Sequence, residues 1–178
     1  MHIREAPPAH VDVLIADDDP VLRSSLRLLF ESEGYTCAEA EDGREALELA
    51  RHALPRCVLL DLEMPGLDGY AVARQLRADP RTRAVRIHCL TGKKDPASRN
   101  RARQAGCEDY LTKPVDAAAL LRAVHLAQKR PQTMCAAGLT KTDAEDLLDW
   151  LQATGRGPGQ VSCDEDGGFS VRWTEPAR

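Results

Sequence analysis

Five short apolar runs, each followed by a stretch of helical periodicity, succeed one another without interruption between residues 11 and 130. Few patterns constrain a chain more. Parallel strands cannot be joined by tight turns, and a helix after every strand supplies the crossover that a parallel sheet needs. The runs fall at 11–16, 35–40, 57–60, 86–90 and 109–111, and the helical stretches at about 20–33, 43–52, 67–78, 96–105 and 116–129. The third run, Cys57-Val58-Leu59-Leu60, is the most apolar. The expectation is an α/β fold with a doubly wound, five-stranded, mostly parallel sheet.

Sheets of this kind handle ligands at the carboxyl ends of their strands, so the residues just after each apolar run carry the functional reading. The first run ends in Asp17-Asp18-Asp19, the third in Asp61, the fourth in Thr91 and the fifth in Thr112-Lys113-Pro114. Carboxylates gathered at one rim repel one another unless a cation neutralises them, and an all-oxygen set suits Mg²⁺ better than a transition metal. A carboxylate beside such a cation can act as a nucleophile toward a phosphoryl group. A hydroxyl and an ammonium, here Thr91 and Lys113, can then offset charge on the transferred oxygens. Asp19, directly before Pro20, and Asp68, before the third helix, are expected to cap helices instead.

Four segments in order, Ile15-Ala16-Asp17-Asp18-Asp19-Pro20, Asp61-Leu62-Glu63-Met64-Pro65-Gly66-Leu67-Asp68-Gly69-Tyr70, Leu90-Thr91-Gly92 and Tyr110-Leu111-Thr112-Lys113-Pro114, make residues 10–130 resemble the receiver domain of bacterial response regulators, a flavodoxin-like fold. The resemblance implies that Asp61 accepts a phosphoryl group from the phosphohistidine of a sensor histidine kinase or phosphotransfer protein. It implies Mg²⁺ held by Asp17, Asp18, Asp61 and the backbone carbonyl of Glu63. Thr91 would be the switch hydroxyl, Lys113 the cation that contacts the phosphoryl group, and Tyr110 the aromatic switch on the fifth strand. A signalling protein rather than an enzyme is expected, with output through contacts to a downstream protein whose identity the sequence does not give. The alternative is a Mg²⁺-dependent phosphohydrolase working through a phospho-aspartate. Such enzymes commonly carry a second Asp two residues after the nucleophile, where this chain has Glu63. Glu63 and Lys93 are expected to be solvated loop charges; the alternatives are that Glu63 interferes with an attacking water or pairs with Lys93. The fourth helix carries Arg99, Arg101 and Arg103 but only small apolar residues, which predicts a lightly anchored helix with a basic face.

Charge separates the last quarter of the chain from the rest. Residues 1–130 hold 20 Lys+Arg and 20 Asp+Glu, whereas 131–178 hold 4 and 8. An acidic tail argues against binding DNA through phosphates. The seam lies at Lys129-Arg130-Pro131, with a linker expected over 131–141 and a small extension over 142–174. In that extension a capping box at Thr142 and Glu145 opens a helix bearing Ala144, Leu147, Leu148, Trp150 and Leu151 and stopping at Gly155. Strands at 160–163 and 168–173 follow, joined by an acidic loop in a β-hairpin. A unit this small rarely carries its own core. It is expected to dock on the receiver-like region, on a second copy in a homodimer, or on a partner. No stretch is long and apolar enough for a membrane helix, and residues 1–8 lack an export signal. The six cysteines show neither CxxC pairs nor nearby histidines at ligand spacing, so a reduced, cytoplasmic protein is expected.

Overall fold

The computed structural model describes residues 11–128, 132–153, 158–163 and 168–175. The expected helix stops at Pro131 and Gly155, the loop at 164–167 and the N-terminal segment 1–8 lie outside the described residues. Five strands, β1 (Val13–Ala16), β2 (Cys37–Ala40), β3 (Cys57–Asp61), β4 (Arg86–Thr91) and β5 (Asp109–Thr112), alternate with α1 (Pro20–Ser32), α2 (Gly43–Ala53), α3 (Gly69–Ala78), α4 (Pro96–Ala105) and α5 (Ala117–Gln128). They form one parallel sheet in the order β2-β1-β3-β4-β5. β3 is central and buried along its whole length, as its uninterrupted apolar composition requires in a sheet covered on both faces.

Alternation along the strands divides the interior in two. Val13, Ile15, Leu59 and Leu90 point toward Leu26 and Phe30 of α1 and Leu120 and Val124 of α5. Leu14, Val58, Leu60 and Ile87 face the opposite layer, where α2, α3 and α4 contribute Leu47, Ala50, Val72, Leu76 and Ala102. The caps follow the expected chemistry: Asp19 Oδ1 accepts from the N–H groups of Val21 and Leu22, and Asp68 Oδ1 from that of Ala71 at 2.7 Å.

Beyond residue 131 the chain departs from expectation. The span expected as a linker contains a strand, β6 (Gln132–Leu139). It pairs antiparallel with β8 (Phe169–Glu175), which also pairs antiparallel with β7 (Gly159–Cys163), giving a second sheet in the order β6-β8-β7. β6 escapes sequence reading because Cys135-Ala136-Ala137-Gly138 is small and weakly β-forming. The register also shifts between Ala136 and Leu139, where Gly138 adopts φ 68°. The helix α6 (Lys141–Ala153) begins earlier than the expected cap. Thr140, not Thr142, closes the box: its Oγ1 accepts the Asp143 N–H at 3.2 Å and donates to Asp143 Oδ2 at 2.7 Å. Thr140-Lys141-Thr142-Asp143 fits the capping pattern as well as the segment two residues on. It also places Leu139 and Ala144 on either side of the cap, both packed into the apolar interior.

The extension is docked on the same chain. Ala144, Leu147 and Leu151 of α6, with Val171 and Trp173 of β8, belong to one apolar cluster continuous with the α2–α3 side of the first sheet. Leu139, Leu147 and Trp150 face His52, Leu54 and Arg81 across a cleft of about 350 Å³. His52 and Leu54 close α2 and Arg81 follows α3, so the contact lies at the amino ends of the strands, away from the rim that carries Asp61. Val161 is 46% exposed because β7 is an edge strand. The expectation of uniformly reduced cysteines also fails, since Cys89 of β4 and Cys107, just before β5, form a disulfide with Cα atoms 6.2 Å apart. Cys89 lies within β4 and Cys107 on the approach to the neighbouring β5, a whole helix apart in sequence, a proximity that no local spacing announces.

Candidate functional site

At the carboxyl ends of β1, β3 and β5 the side chains singled out above meet. Asp17 follows β1, and its carboxylate is fully buried; Asp61, the last residue of β3, is 3% exposed; Asp18 is exposed. One carboxylate oxygen from each of the three lies within 4.8 Å of the others. Lys113 reaches in from the end of β5, its Nζ 2.8 Å from Asp17 Oδ2 and 2.6 Å from Asp61 Oδ2. The Lys113–Pro114 peptide is cis.

The charges explain one another. Burial pushes Asp17 above the usual carboxylate value, opposed in part by hydrogen bonds from Lys113 and the Asp19 backbone. Burial alone would lower Lys113, but its hydrogen bonds and charge interactions with Asp17 and Asp61 outweigh that and raise it. Lys113 therefore stays charged and offsets part of the acidic charge. Three carboxylates against one ammonium leave an excess of negative charge, and the donor set is entirely oxygen. Asp17, Asp18 and Asp61 thus fit a hard divalent cation such as Mg²⁺.

Backbone geometry holds the nucleophile candidate in place. Asp61 Oδ1 accepts the Glu63 N–H at 2.9 Å, and the Leu62 N–H bonds to Leu90 of β4. Gly69 opens α3 so close to β3 that a Cβ there would collide with the Asp61 carbonyl oxygen. Beside the acids runs an open groove of about 480 Å³ bordered by Asp18, Met64, Pro65, Tyr70 and Arg101.

Thr91, at the end of β4, is buried, and its Oγ1 accepts the Lys93 N–H at 3.1 Å. Tyr110 on β5 stands partly exposed, its hydroxyl donating to the Lys93 carbonyl at 3.0 Å and its ring lying 5.3 Å from the Arg99 guanidinium. Lys93 Nζ is 3.5 Å from Glu63 Oε1, so the two pair rather than standing apart as the solvated loop charges expected. Several contacts around the site carry no sequence signal. Arg101 stacks on Tyr70 at 3.9 Å and pairs with Asp68 at 3.2 Å. The basic face of α4 is thus partly engaged within the chain. Asp109 binds His88 at 2.7 Å and Glu108 binds Arg86 at 2.7 Å.

Comparison with known proteins follows the same outline. The family described as response regulator receiver domain matches residues 13–125. Protein PilH of Pseudomonas aeruginosa is 37% identical over 113 residues, 64% of this chain and 93% of that protein. A putative response regulator from Chloroflexus aurantiacus superposes with a TM-score of 0.64 at 32% identity, over 68% of this chain and 99% of that one. The receiver domain of the sensor histidine kinase PA1611 from Pseudomonas aeruginosa does so with a TM-score of 0.61 at 32% identity, over 66% of this chain and 96% of that one. That structure holds a magnesium ion in its active-site cleft.

Proposed function

The chain belongs to the response regulator receiver family, and from that premise we propose that it is a phosphorylation-switched signalling protein in which Asp61 is the phosphoacceptor. The observation that carries this reading is the meeting of Asp17, Asp18 and Asp61 with Lys113 bridging two of them at 2.6 and 2.8 Å. An Asp61 carboxylate oxygen attacks the phosphorus of a phosphohistidine on a sensor kinase or phosphotransfer protein. The P–N bond breaks, and the leaving imidazole takes up a proton. Lys113 and the Thr91 hydroxyl meet the charge on the phosphoryl oxygens. Asp17, Asp18, Asp61 and the Glu63 backbone carbonyl would hold Mg²⁺, which when bound would supply Lewis-acid neutralisation of the developing charge.

Once phosphorylated, Asp61 presents new acceptors that Thr91 reaches by turning inward, and Tyr110 moves into the space released. That is a differential contact between two states, which a population shift requires. Receiver domain 10–130 and the β-α-β-β extension that follows it act together in the cytoplasm, passing the signal on by contacts with a downstream protein. The extension's docking on its own chain removes the need for a homodimer to cover it. Glu63 directs its carboxylate to Thr91, Gly92 and Lys93, so the phosphohydrolase alternative gains no general acid from it. The reading is tested by incubating the full chain with radiolabelled acetyl phosphate and Mg²⁺. Label should be incorporated by the wild type and be absent in excess chelator. Unchanged labelling in chelator would sink it.

A further inference from the structure

The acceptor reading leaves the conformation of the Glu63 side chain without a purpose. Its Oε2 accepts the Gly92 backbone N–H at 3.2 Å and faces the Thr91 hydroxyl at 3.4 Å, while Oε1 lies 3.5 Å from Lys93 Nζ. A Cβ on Gly92 would sit 3.3 Å from the same Oε2, so the carboxylate lies directly over that peptide. A backbone amide, a hydroxyl and an ammonium at one strand end form an anion-binding set. In this chain it is filled by a carboxylate of its own. Asp61 is immediately adjacent: it pairs with Leu90 in the sheet, one residue before Thr91, and it binds the Glu63 N–H.

A phosphoryl group on Asp61 brings two negative charges and several acceptor oxygens into this corner. It competes with Glu63 for Thr91 and Gly92, and the two anions repel one another. We propose that Glu63 is a positioning residue that stands in for the phosphoryl group, holding Thr91, Gly92 and Lys93 in the unphosphorylated chain and leaving them when Asp61 is modified. The inference rests on the reading of Asp61 as phosphoacceptor. The geometry suits an occupant that must depart. Contacts of 3.2–3.5 Å are long for charge-assisted hydrogen bonds, and the Glu63 and Lys93 side chains are 42% and 48% exposed, so water replaces the lost contacts readily. Formation of the phosphorylated conformation is therefore opposed by a fixed amount set by this side chain.

The test follows backbone amide resonances of the full chain at saturating Mg²⁺ while beryllofluoride, a phosphoryl mimic, is titrated into the wild type, Glu63→Gln and Glu63→Ala. Glu63 is exposed, so both variants keep the fold. In Glu63→Ala the Gly92 amide should shift before any beryllofluoride is added, and half-saturation should come at about tenfold lower beryllofluoride, a factor equivalent to about 1.4 kcal/mol. Glu63→Gln keeps an acceptor for Gly92 but loses the charge, and its midpoint should fall between the other two. A wild type that saturates with the same midpoint as both variants, or a Gly92 amide that does not move in Glu63→Ala, overturns the inference alone. Failure of the wild type and both variants to respond overturns the acceptor reading and the inference with it.

Discussion

The two sheets of this protein solve the same problem with unequal resources. In the first, helices cover both faces and the central strand is wholly buried. In the second, α6 covers one face, β7 is left as an exposed edge, and the apolar residues that remain merge with the α2–α3 layer of the first. A parallel sheet can be polar at its carboxyl rim because its interior already stabilises it. A three-stranded sheet has no such surplus, so its attachment to a larger core is part of how it folds. The first region is built around a charged rim, the second around an attachment.

The strongest way to sharpen that contrast is Asp61→Asn. Labelling by acetyl phosphate should fall to background while circular dichroism and the tryptophan emission of the extension stay unchanged. Full labelling of the variant would remove Asp61 from its role. Next in size is Trp173→Ala. Trp173 is 1% exposed, and truncating a buried aromatic costs about 3–5 kcal/mol. Protease cleavage should rise throughout 132–175 while beryllofluoride still binds the receiver. Cleavage spreading equally into residues 11–128 would show the two sheets to be one cooperative unit.

Thr140→Ala should cost α6 about 1 kcal/mol as a lost N-cap, and Thr142→Ala close to nothing, read as amide exchange protection along residues 141–153. Equal losses would restore the cap two residues later. The smallest effect concerns acid. The hydrogen bond from His88 holds Asp109 below the usual carboxylate value. A depressed carboxylate contributes stability that is present above its unfolded pKa and is lost as pH falls through the lower folded one. Asp109→Asn should therefore flatten the acid limb of receiver stability below about pH 4, by no more than about 1 kcal/mol because the Asp109 side chain is half exposed. In the extension, Thr140 lowers Asp143 in the same way, and Thr140→Ala should remove that acid sensitivity there. An unchanged acid limb in both variants would take these pairs out of the account.

Sequence reading reached furthest where each residue's surroundings are dictated by its own strand. β1, β3 and β4 each place a polar residue directly after an apolar run and β5 places Lys113 just beyond Thr112, so the sequence alone puts Asp17, Asp61, Thr91 and Lys113 at one rim. It reached least where contacts join distant segments of ordinary composition. Nothing in Cys89 and Cys107 marks them as neighbours, because a whole helix separates them in sequence. Asp109 looks like a loop acid until β4 is laid beside β5 and His88 falls opposite it. β6 was hidden for a local reason, its small residues and its register shift at Gly138. The caps of α1 and α3 were legible because Asp before a helix start leaves few alternatives, whereas α6 offered two capping boxes and the structure uses the first.

The fastening of α4 has a consequence for the solution in which the protein works. Its buried apolar side chains are the two alanines Ala102 and Ala105, and further attachments run through guanidinium groups, Arg101 to Asp68 and Tyr70 and Arg99 to Tyr110. Methyl groups buried in α2 and α3 are indifferent to dissolved ions, but an exposed ion pair weakens as the Debye length shrinks from about 10 Å at 0.1 M salt to about 3 Å at 1 M. The helix between Thr91 and Tyr110 is thus an element whose hold on the sheet varies with ionic strength. A rise in salt would loosen α4 more than the helices held by larger buried side chains.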